Sequence, residues 1–324
     1  MAEIVLGIGT SHSPQLSVSW KEWNLLRRKD ETDPRLDYPG LLQSAKQRKP
    51  DLDRDLTEEK WRERYDACQR AIARLGEILR GANPDVVVVF GDDQHEQFYD
   101  ENLPVFAIYH GKSLPVVKHS GHNPAAWKDA EERGWAETAG EYRNGGELAE
   151  HLITSLTTLE FDIARCNRLR PDVGVGHAFA FLYRRIWPGG AVPIVPVMIN
   201  TYYPPNQPTP KRCYALGQAV RRAVESWNAA ARVVLMASGG LSHMVIDEEL
   251  DRAVLGAMAK RDPEKIYSLP RNKLRGGTSE ILNWVALAGA MEPMQMELID
   301  YIPTYRSPAA TGCGMAFTTW EYDT

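Results

Sequence analysis

The chain has 324 residues, a length that allows one large α/β domain or two closely packed halves. Its 38 lysines and arginines are outnumbered by 43 aspartates and glutamates, so the net charge of −5 provides no basic stripe for a nucleic-acid partner. No segment is long and apolar enough to span a bilayer and no basic leader precedes the first apolar run, so we expect a cytoplasmic protein without a membrane partner.

Short β-branched runs alternate along the chain with segments that have helical periodicity. The predicted strands cover residues 4–8, 86–90, 105–109, 194–199 and 233–236, and the predicted helices cover about 58–80, 146–158, 211–230, 248–260 and 279–290. Alternating strands and helices predict an α/β fold, in which a central mixed sheet is flanked by helices. We expect one large domain over residues 1–324.

Two segments differ from this pattern. Residues of about 20–80 are predicted to form a helical or irregular insert, whose first part, Trp20 to Lys60, is highly charged, contains three prolines and carries several aromatic residues. We interpret this insert as an active-site lid or an oligomer contact. Residues 110–145 hold three histidines and two tryptophans, and we predict a long functional or oligomer-contacting loop there.

Four polar islands supply candidate functional residues, at positions 9–12, 91–95, 238–243 and 276–280. His12, His95 and His243 each follow an apolar run that ends in glycine, which places them at the carboxyl edge of the sheet. Glu280 is expected at the first turn of a helix, where the helix dipole favours a charged carboxylate. Two histidines and one carboxylate are the ligands of a mononuclear iron(II) site, and one histidine remains for other chemistry.

For each of these residues a structural role stays open. The Ser-Gly-Gly turn before His243 could be only a backbone requirement, and His177, after Gly174-Val-Gly, fits the start of a helix equally well. Asp92 and Asp93 are interpreted as turn-forming residues and as partners of ligands, not as ligands.

Five motifs together resemble a known family. They are Gly-Thr-Ser-His-Ser-Pro, Gly-Asp-Asp-Gln-His, Val-Gly-His-Ala-Phe, Ser-Gly-Gly-Leu-Ser-His and Gly-Gly-Thr-Ser-Glu-Ile-Leu-Asn-Trp. In this order they resemble the class III extradiol ring-cleavage dioxygenases, above all the catalytic β subunit of protocatechuate 4,5-dioxygenase and its gallate and 3-O-methylgallate relatives. The resemblance covers residues 3–15 and 81–320.

The resemblance implies that His12, His95 and Glu280 bind Fe(2+), that His243 is the acid/base histidine, and that His177 is a second catalytic histidine in the substrate pocket. It also implies O2 and a catecholic aromatic acid as substrates. The family closes its active site with a separate small subunit, whereas this chain has the insert. We therefore expect the insert to replace or alter that lid in a homodimer or higher homo-oligomer.

Candidate substrate-binding residues follow from the same resemblance. Phe179, together with its aromatic neighbours, could form an apolar wall of the pocket, although alternate spacing is as typical of core packing. Thr304, Arg306 and Ser307 occupy the region where relatives hold the ring carboxylate, which Arg306 could bind bidentately. A surface arginine in a turn is the open alternative.

Two other function classes remain open. The same His12, His95 and Glu280 set could bind zinc in a hydrolase that uses His243 as its base. A ligand-binding relative without chemistry is the third possibility, although all four positions hold residues that are competent for catalysis. Oxygen consumption with a catechol separates an iron dioxygenase from both.

Overall fold

The computed structural model describes residues 1–117, 139–190 and 192–322. Its strands are β1 (Glu3–Thr10), β2 (Val86–Asp92), β3 (Phe106–Tyr109), β4 (Ser113–Val116), β5 (Gly140–Arg143), β6 (Ile163–Cys166), β7 (Ile194–Ile199), β8 (Arg232–Ser238), β9 (His243–Val245), β10 (Gln295–Pro303) and β11 (Thr311–Glu321). Within the described residues, nine of these strands form one sheet in the order β10-β11-β1-β8-β2-β7-β3-β6, with β9 paired to β11, and β4 pairs with β5 separately.

The centre of the sheet is parallel, and antiparallel pairs flank it on both sides. Strands β1, β8, β2 and β7 run parallel to one another, whereas β3 is antiparallel to β7 and β11 is antiparallel to β1. All residues of β2 and β7 are buried, as expected of parallel strands covered on both faces. The predicted mixed sheet and α/β class are confirmed.

Helices cover both faces of the sheet. They are α1 (Trp23–Thr32), α2 (Tyr38–Arg48), α3 (Glu58–Ala82), α4 (Gly146–Thr158), α5 (His177–Phe181), α6 (Pro210–Ser226), α7 (Glu248–Ala259), α8 (Pro263–Tyr267) and α9 (Ile281–Ala290). Helices α4, α6, α7 and α9 pack on one face in a core that includes Val86 and Val88. Helix α3 packs on the other face with Val87 and Val89, so alternate residues of β2 enter different cores.

Side-chain caps fix several helix ends. Thr57 accepts the Lys60 N–H at the start of α3, and Asn83 ends this helix with a φ of 44°. At the start of α6, Thr209 accepts the Arg212 N–H and Pro210 occupies the first turn. These are the residue types that favour helix starts and left-handed ends.

The N-terminal insert consists of two parts. Helix α3 belongs to the sheet core, whereas α1 and α2 lie apart from it. Trp23 and Trp61 meet with ring centroids 6.0 Å apart in a small cluster with Val18 and Leu26. Two tryptophans of the insert are therefore buried against each other.

No helix among residues 1–117, 139–190 and 192–322 is long and apolar enough to cross a membrane. Of the predicted loop at 110–145, residues 118–138 lie outside the described residues. Its two described ends form the β4-β5 pair, in which Ser113 lies beside Arg143.

Candidate functional site

Three adjacent strands of the sheet end at the same edge, and polar residues follow them. In the parallel β1-β8 pair Thr10 lies beside Ser238, and His12 follows two residues after Thr10. Asp92 is the last residue of β2, which pairs with β8. Because the carboxyl ends of parallel strands meet at one edge, these side chains come together there.

His12, Asp92 and Glu280 form a buried cluster, in which one ligand atom of each lies within 4.8 Å of the others. His12 Nε2 is 3.3 Å from Glu280 Oε2, and His12 Nδ1 shares a hydrogen bond of 2.9 Å with Ser238 Oγ. Within the part of the chain that the structure describes, the buried Nε2 atom of His12 has no hydrogen-bond partner. A buried imidazole nitrogen without a partner, beside two carboxylates, fits a metal ligand.

Glu280 is 1% exposed, and both of its carboxylate oxygens accept hydrogen bonds. The Gly240 N–H donates to Oε2 at 2.6 Å, and the Tyr202 hydroxyl donates to Oε1 at 2.9 Å. Burial by itself raises the pKa of Glu280, but the neighbouring His243 and His12 outweigh burial and hold the pKa well below its usual value. Glu280 is therefore an ionised carboxylate in a fixed position.

Helix α9 is fastened to the glycine turn that follows β8. Glu280 is the last residue of a 3₁₀ turn, Gly276–Glu280, and directly precedes α9. The Trp284 indole N–H donates to Gly239 O at 2.7 Å, and the Asn283 amide donates to Asp92 Oδ1 at 3.1 Å. Asn283 and Trp284, three and four positions after Glu280, thus hold the start of α9 and the Glu280 carboxylate at the sheet edge.

His243 begins β9 and approaches the cluster from another side. Its Nδ1 atom is 2.9 Å from Leu241 O and its Nε2 atom is 3.2 Å from Glu280 Oε1. Both partners are acceptors, so both ring nitrogens donate. Burial by itself lowers the pKa of His243, but the Glu280 charge outweighs burial and raises the pKa well above its usual value. A Cβ atom at Gly277 would collide with this ring, so glycine permits the close approach.

His177 is the first residue of α5 and stands against His12, with ring centroids 4.6 Å apart. Glu96 Oε1 accepts hydrogen bonds from the His177 backbone N–H at 2.8 Å and from its Nδ1 at 2.9 Å. Burial by itself lowers the pKa of His177, but Glu96 outweighs burial and raises the pKa to about 10. His177 therefore both starts a helix and faces the site.

The turn after β2 holds two supporting residues that the sequence reasoning missed, Gln94 and Glu96. The Gln94 amide donates to Asp92 Oδ2 at 3.0 Å and to Glu280 Oε1 at 3.1 Å. Asp93 accepts two backbone N–H groups of the following turn, which is the turn-forming role expected of it. Asp92, by contrast, faces the cluster. The sequence signal that could have identified Gln94 and Glu96 is the run of acidic and amide residues that follows the end of β2.

The structure does not bring His95 into the cluster. Its backbone has a φ of 58°, and its ring stacks on Tyr203 with centroids 3.7 Å apart and an interplanar angle of 2°. His95 Nε2 lies 3.4 Å from Asp100 Oδ1, and the side chain is 30% exposed. Strand β2 continues to Asp92, so Asp92 takes the place at the sheet edge that we had expected for His95.

A cavity of about 210 Å³ opens beside the cluster. Its lining includes His12, Gln94, His177, Tyr202, His243 and Glu280 from the sheet edge, and Leu26, Lys29, Asp30, Arg35 and Arg306. Four of these residues, 26, 29, 30 and 35, come from the N-terminal insert. Tyr202, which the sequence reasoning also missed, follows β7 by three residues.

Arg306 lines the cavity, but its guanidinium is bound within the protein. Its Nε and Nη2 atoms donate to the two oxygens of Asp30 at 2.7 and 2.9 Å, and Nη1 donates to Gln15 Oε1 at 3.2 Å. The bidentate partner of Arg306 is therefore a carboxylate of α1. A role of Arg306 towards a substrate carboxylate stays a prediction, and the alternative of a surface arginine is wrong, since Arg306 is only 8% exposed.

Three other residues expected at the substrate point into the protein. Phe179 is in the hydrophobic core and packs against Gly91. The Thr304 hydroxyl donates to Cys313 O at 2.8 Å, and the Ser307 hydroxyl accepts from Thr311 Oγ1 at 2.7 Å. For Phe179, the alternative of core packing is the one that the structure shows.

Comparisons with known proteins agree with this geometry. The family model described as the catalytic LigB subunit of aromatic ring-opening dioxygenase matches residues 57–316. The chain is 29% identical over 177 residues to the 2,3-dihydroxyphenylpropionate/2,3-dihydroxicinnamic acid 1,2-dioxygenase of Comamonas testosteroni. The aligned region covers 55% of this chain and 49% of that protein. It is 32% identical over 157 residues to the gallate dioxygenase of Pseudomonas putida, with coverages of 44% and 45%.

The chain thus spans about half the length of these curated relatives. The stretch matched by the family model includes Asp92, His177, His243 and Glu280, and His12 precedes it. The match extends over most of the chain, so the resemblance inferred from the motifs is confirmed: the chain belongs to the family of the catalytic LigB subunit of aromatic ring-opening dioxygenases.

Proposed function

We propose that the protein is a non-haem iron(II)-dependent extradiol dioxygenase. It opens the ring of a catecholic aromatic acid, of the protocatechuate, gallate or 3-O-methylgallate type, with O2. The observation that carries the proposal is the buried cluster of His12, Asp92 and Glu280, beside a cavity that two further histidines line. Family membership supports the same reaction class.

The residues of the cluster fit a divalent metal. His12 offers a buried nitrogen without a hydrogen-bond partner among the described residues, and Asp92 and Glu280 offer two buried carboxylates. Nitrogen and oxygen donors of this kind suit ferrous iron. Bound by these three residues, iron would supply acidification of the diol and a route for electrons from the ring to O2.

The protein's own residues would manage protons and orientation. His243 Nε2 lies at the cavity beside Glu280, where it can exchange a proton with a catechol hydroxyl. His177, oriented by Glu96, presents a second imidazole to the same space. Tyr202 hydrogen-bonds Glu280 Oε1 and so keeps the carboxylate from turning.

The size of the cavity favours a single aromatic ring. Its volume of about 210 Å³ is below the roughly 300–1,000 Å³ of pockets that hold drug-sized ligands. Two of the similar proteins are named for gallate and for 2,3-dihydroxyphenylpropionate. A catechol with one short acidic substituent therefore fits both the cavity and the family.

We propose that α1 and the loop after it, which holds Arg35, cover the cavity, so that the chain works without a separate small subunit. The position of Leu26, Lys29 and Asp30 in the cavity lining supports this role. We also propose a homodimer or higher homo-oligomer, which light scattering tests. The four cysteines are buried and free, which suits a reducing compartment such as the cytoplasm.

An oxygen-electrode assay tests the central proposal. The protein is loaded with ferrous iron under argon and then mixed with protocatechuate, gallate, 3-O-methylgallate or catechol. Uptake of one O2 per substrate, with both atoms of ¹⁸O2 in a ring-opened product, is expected for at least one acid. The zinc-loaded protein should be inactive. Fully iron-loaded protein that consumes no oxygen with any catechol would contradict the proposal, and oxygen-independent hydrolysis with zinc would favour the hydrolase.

A further inference from the structure

We propose that the N-terminal insert selects the substrate, because Lys29 of α1 and Arg35 of the following loop form a cationic wall that binds its acidic group. The inference rests on the proposed function, since it assumes that the diol binds at the His12 cluster. It gives to the insert the role that the sequence suggested for Arg306.

Arg306 is unsuited as the anchor, because its guanidinium is buried and already donates from Nε and Nη2 to Asp30 and from Nη1 to Gln15. The two side chains are 9% and 1% exposed and make two hydrogen bonds to each other. A substrate carboxylate that displaced Asp30 would leave that buried charge without its partner, which is strongly unfavourable. The acidic group must therefore find another cation.

Lys29 and Arg35 are the other Lys and Arg residues of the cavity lining, and both belong to the insert. Leu26, Lys29 and Asp30 are spaced at i, i+3 and i+4, so they share one face of α1. The guanidinium of Arg35 is held by Asp33 through hydrogen bonds of 2.9 and 2.6 Å, and its side chain is 78% exposed. Arg35 therefore lies at the solvent side of the cavity in a fixed orientation.

A metal at the cluster would make the lining favour an anion. The three Lys and Arg residues of the lining, at positions 29, 35 and 306, are balanced by Asp30 and Glu280 in the lining and by Asp33, the partner of Arg35. A divalent metal bound by Glu280 would shift this balance towards positive charge. An acidic substrate would compensate for it.

Helix α1 is held firmly enough to position Lys29. The Trp23 indole N–H donates to Gln15 O at 3.3 Å, and Asp30 ties the other end of the helix to Arg306. Gln15 and Arg306 belong to the body of the protein, outside the insert. Lys29 lies between these two attachments, directly before Asp30.

The test uses a matched pair of ligands, 3,4-dihydroxybenzoate and its neutral methyl ester. Lys29→Gln, Arg35→Gln and the double variant are made in the iron-loaded protein. Binding is measured by calorimetry without oxygen, and KM is measured with oxygen. In the double variant, acid binding should weaken about tenfold or more while ester binding stays constant. Lys29→Arg should keep the acid affinity, and Arg28→Gln, an exposed charge on the same helix, should change neither ligand.

Unchanged acid binding in the double variant would overturn the proposal. Equal weakening of acid and ester binding would also overturn it, since this would show a structural effect of the substitutions. The same holds if Arg28→Gln weakens acid binding as much as the double variant does, since this would show only a long-range electrostatic effect. If the iron-loaded wild type opens the ring of none of protocatechuate, gallate, 3-O-methylgallate and catechol, the proposed function fails. The calorimetric comparison without oxygen still decides on the cationic wall.

Discussion

The carboxyl edge of the sheet and the N-terminal insert meet at one cavity but are built differently. At the edge, His12, Asp92 and Glu280 are buried and held by strands, a glycine turn and α9. The insert helix α1 is attached beside the same cavity by one buried ion pair, one indole hydrogen bond and the small apolar cluster of Trp23 and Leu26 with Val18 and Trp61. The edge therefore fixes the reacting groups, whereas the insert can change without disturbing them. Substitutions at the sheet edge should therefore abolish turnover, and substitutions in the insert should alter the affinity for substrate.

The largest effect is expected for Glu280→Gln. This change keeps the shape of the side chain but removes the charge that offsets a divalent metal. Iron content and turnover should both fall by more than the roughly 10–100-fold typical of residues that only orient a ligand. Metal analysis and an oxygen electrode measure both. Glu292→Gln, at an exposed position, is the control, and normal iron content in Glu280→Gln would exclude Glu280 as a ligand.

His243→Gln should separate proton transfer from metal binding. The variant is expected to keep its iron, while turnover falls by roughly 10²–10⁴-fold, the range for loss of a general acid or base. The control is His151→Gln, because the His151 ring bonds to Ala223 O and does not line the cavity. Loss of iron in His243→Gln would instead assign His243 to the metal site.

Tyr202→Phe tests how strongly the edge depends on its supporting contacts. Loss of the 2.9 Å hydrogen bond to Glu280 should weaken iron binding by about 10–100-fold. Competition with a chelator measures this affinity independently of turnover. The control is Tyr203→Phe, which removes the hydroxyl of the neighbouring tyrosine, whose ring stacks on His95. This variant should leave the affinity for iron unchanged. Equal affinities in both variants would show that Tyr202 does not position Glu280.

Asp30→Asn should loosen the insert and leave the edge intact. Breaking a buried ion pair by removing one partner costs about 3–5 kcal/mol, so hydrogen exchange in α1 should accelerate while exchange in β2 and β8 stays slow. Glu31→Gln is the control, since its partner Arg27 and Glu31 itself are each 36% exposed. Faster exchange throughout the sheet would show that α1 is part of the core after all.

The sequence predicted the parallel centre of the sheet, because buried parallel strands read as continuous β-branched runs. Among the described residues six strands were missed, namely β4, β5, β6, β9, β10 and β11, and the last two show the reason most clearly. Exposed and buried residues mix along β10, and its register shifts between Leu298 and Asp300. In β11, Gly312 and Gly314 interrupt the apolar pattern. Such strands are defined by their pairing partners more than by their own composition.

At the site, the sequence picked out His12, His243 and Glu280, because each lies next to a strand end or a glycine turn, and the structure brings them together. It could not show that the chain turns at His95, since a positive φ is uncommon for histidine. Nor could it show that Arg306 is paired, because Asp30 lies 276 residues away in the chain. Pairings over such distances depend on the complete fold.

The most direct test of the account compares the iron content of His12→Ala with that of His95→Ala, after both proteins are loaded under argon. His12 Nε2 lies beside Glu280, whereas His95 stacks on Tyr203 outside the cluster. The account predicts that His12→Ala loses its iron and that His95→Ala binds one iron per chain, like the wild type. Iron loss in His95→Ala, with iron retained in His12→Ala, would contradict the metal site at the carboxyl edge of the sheet.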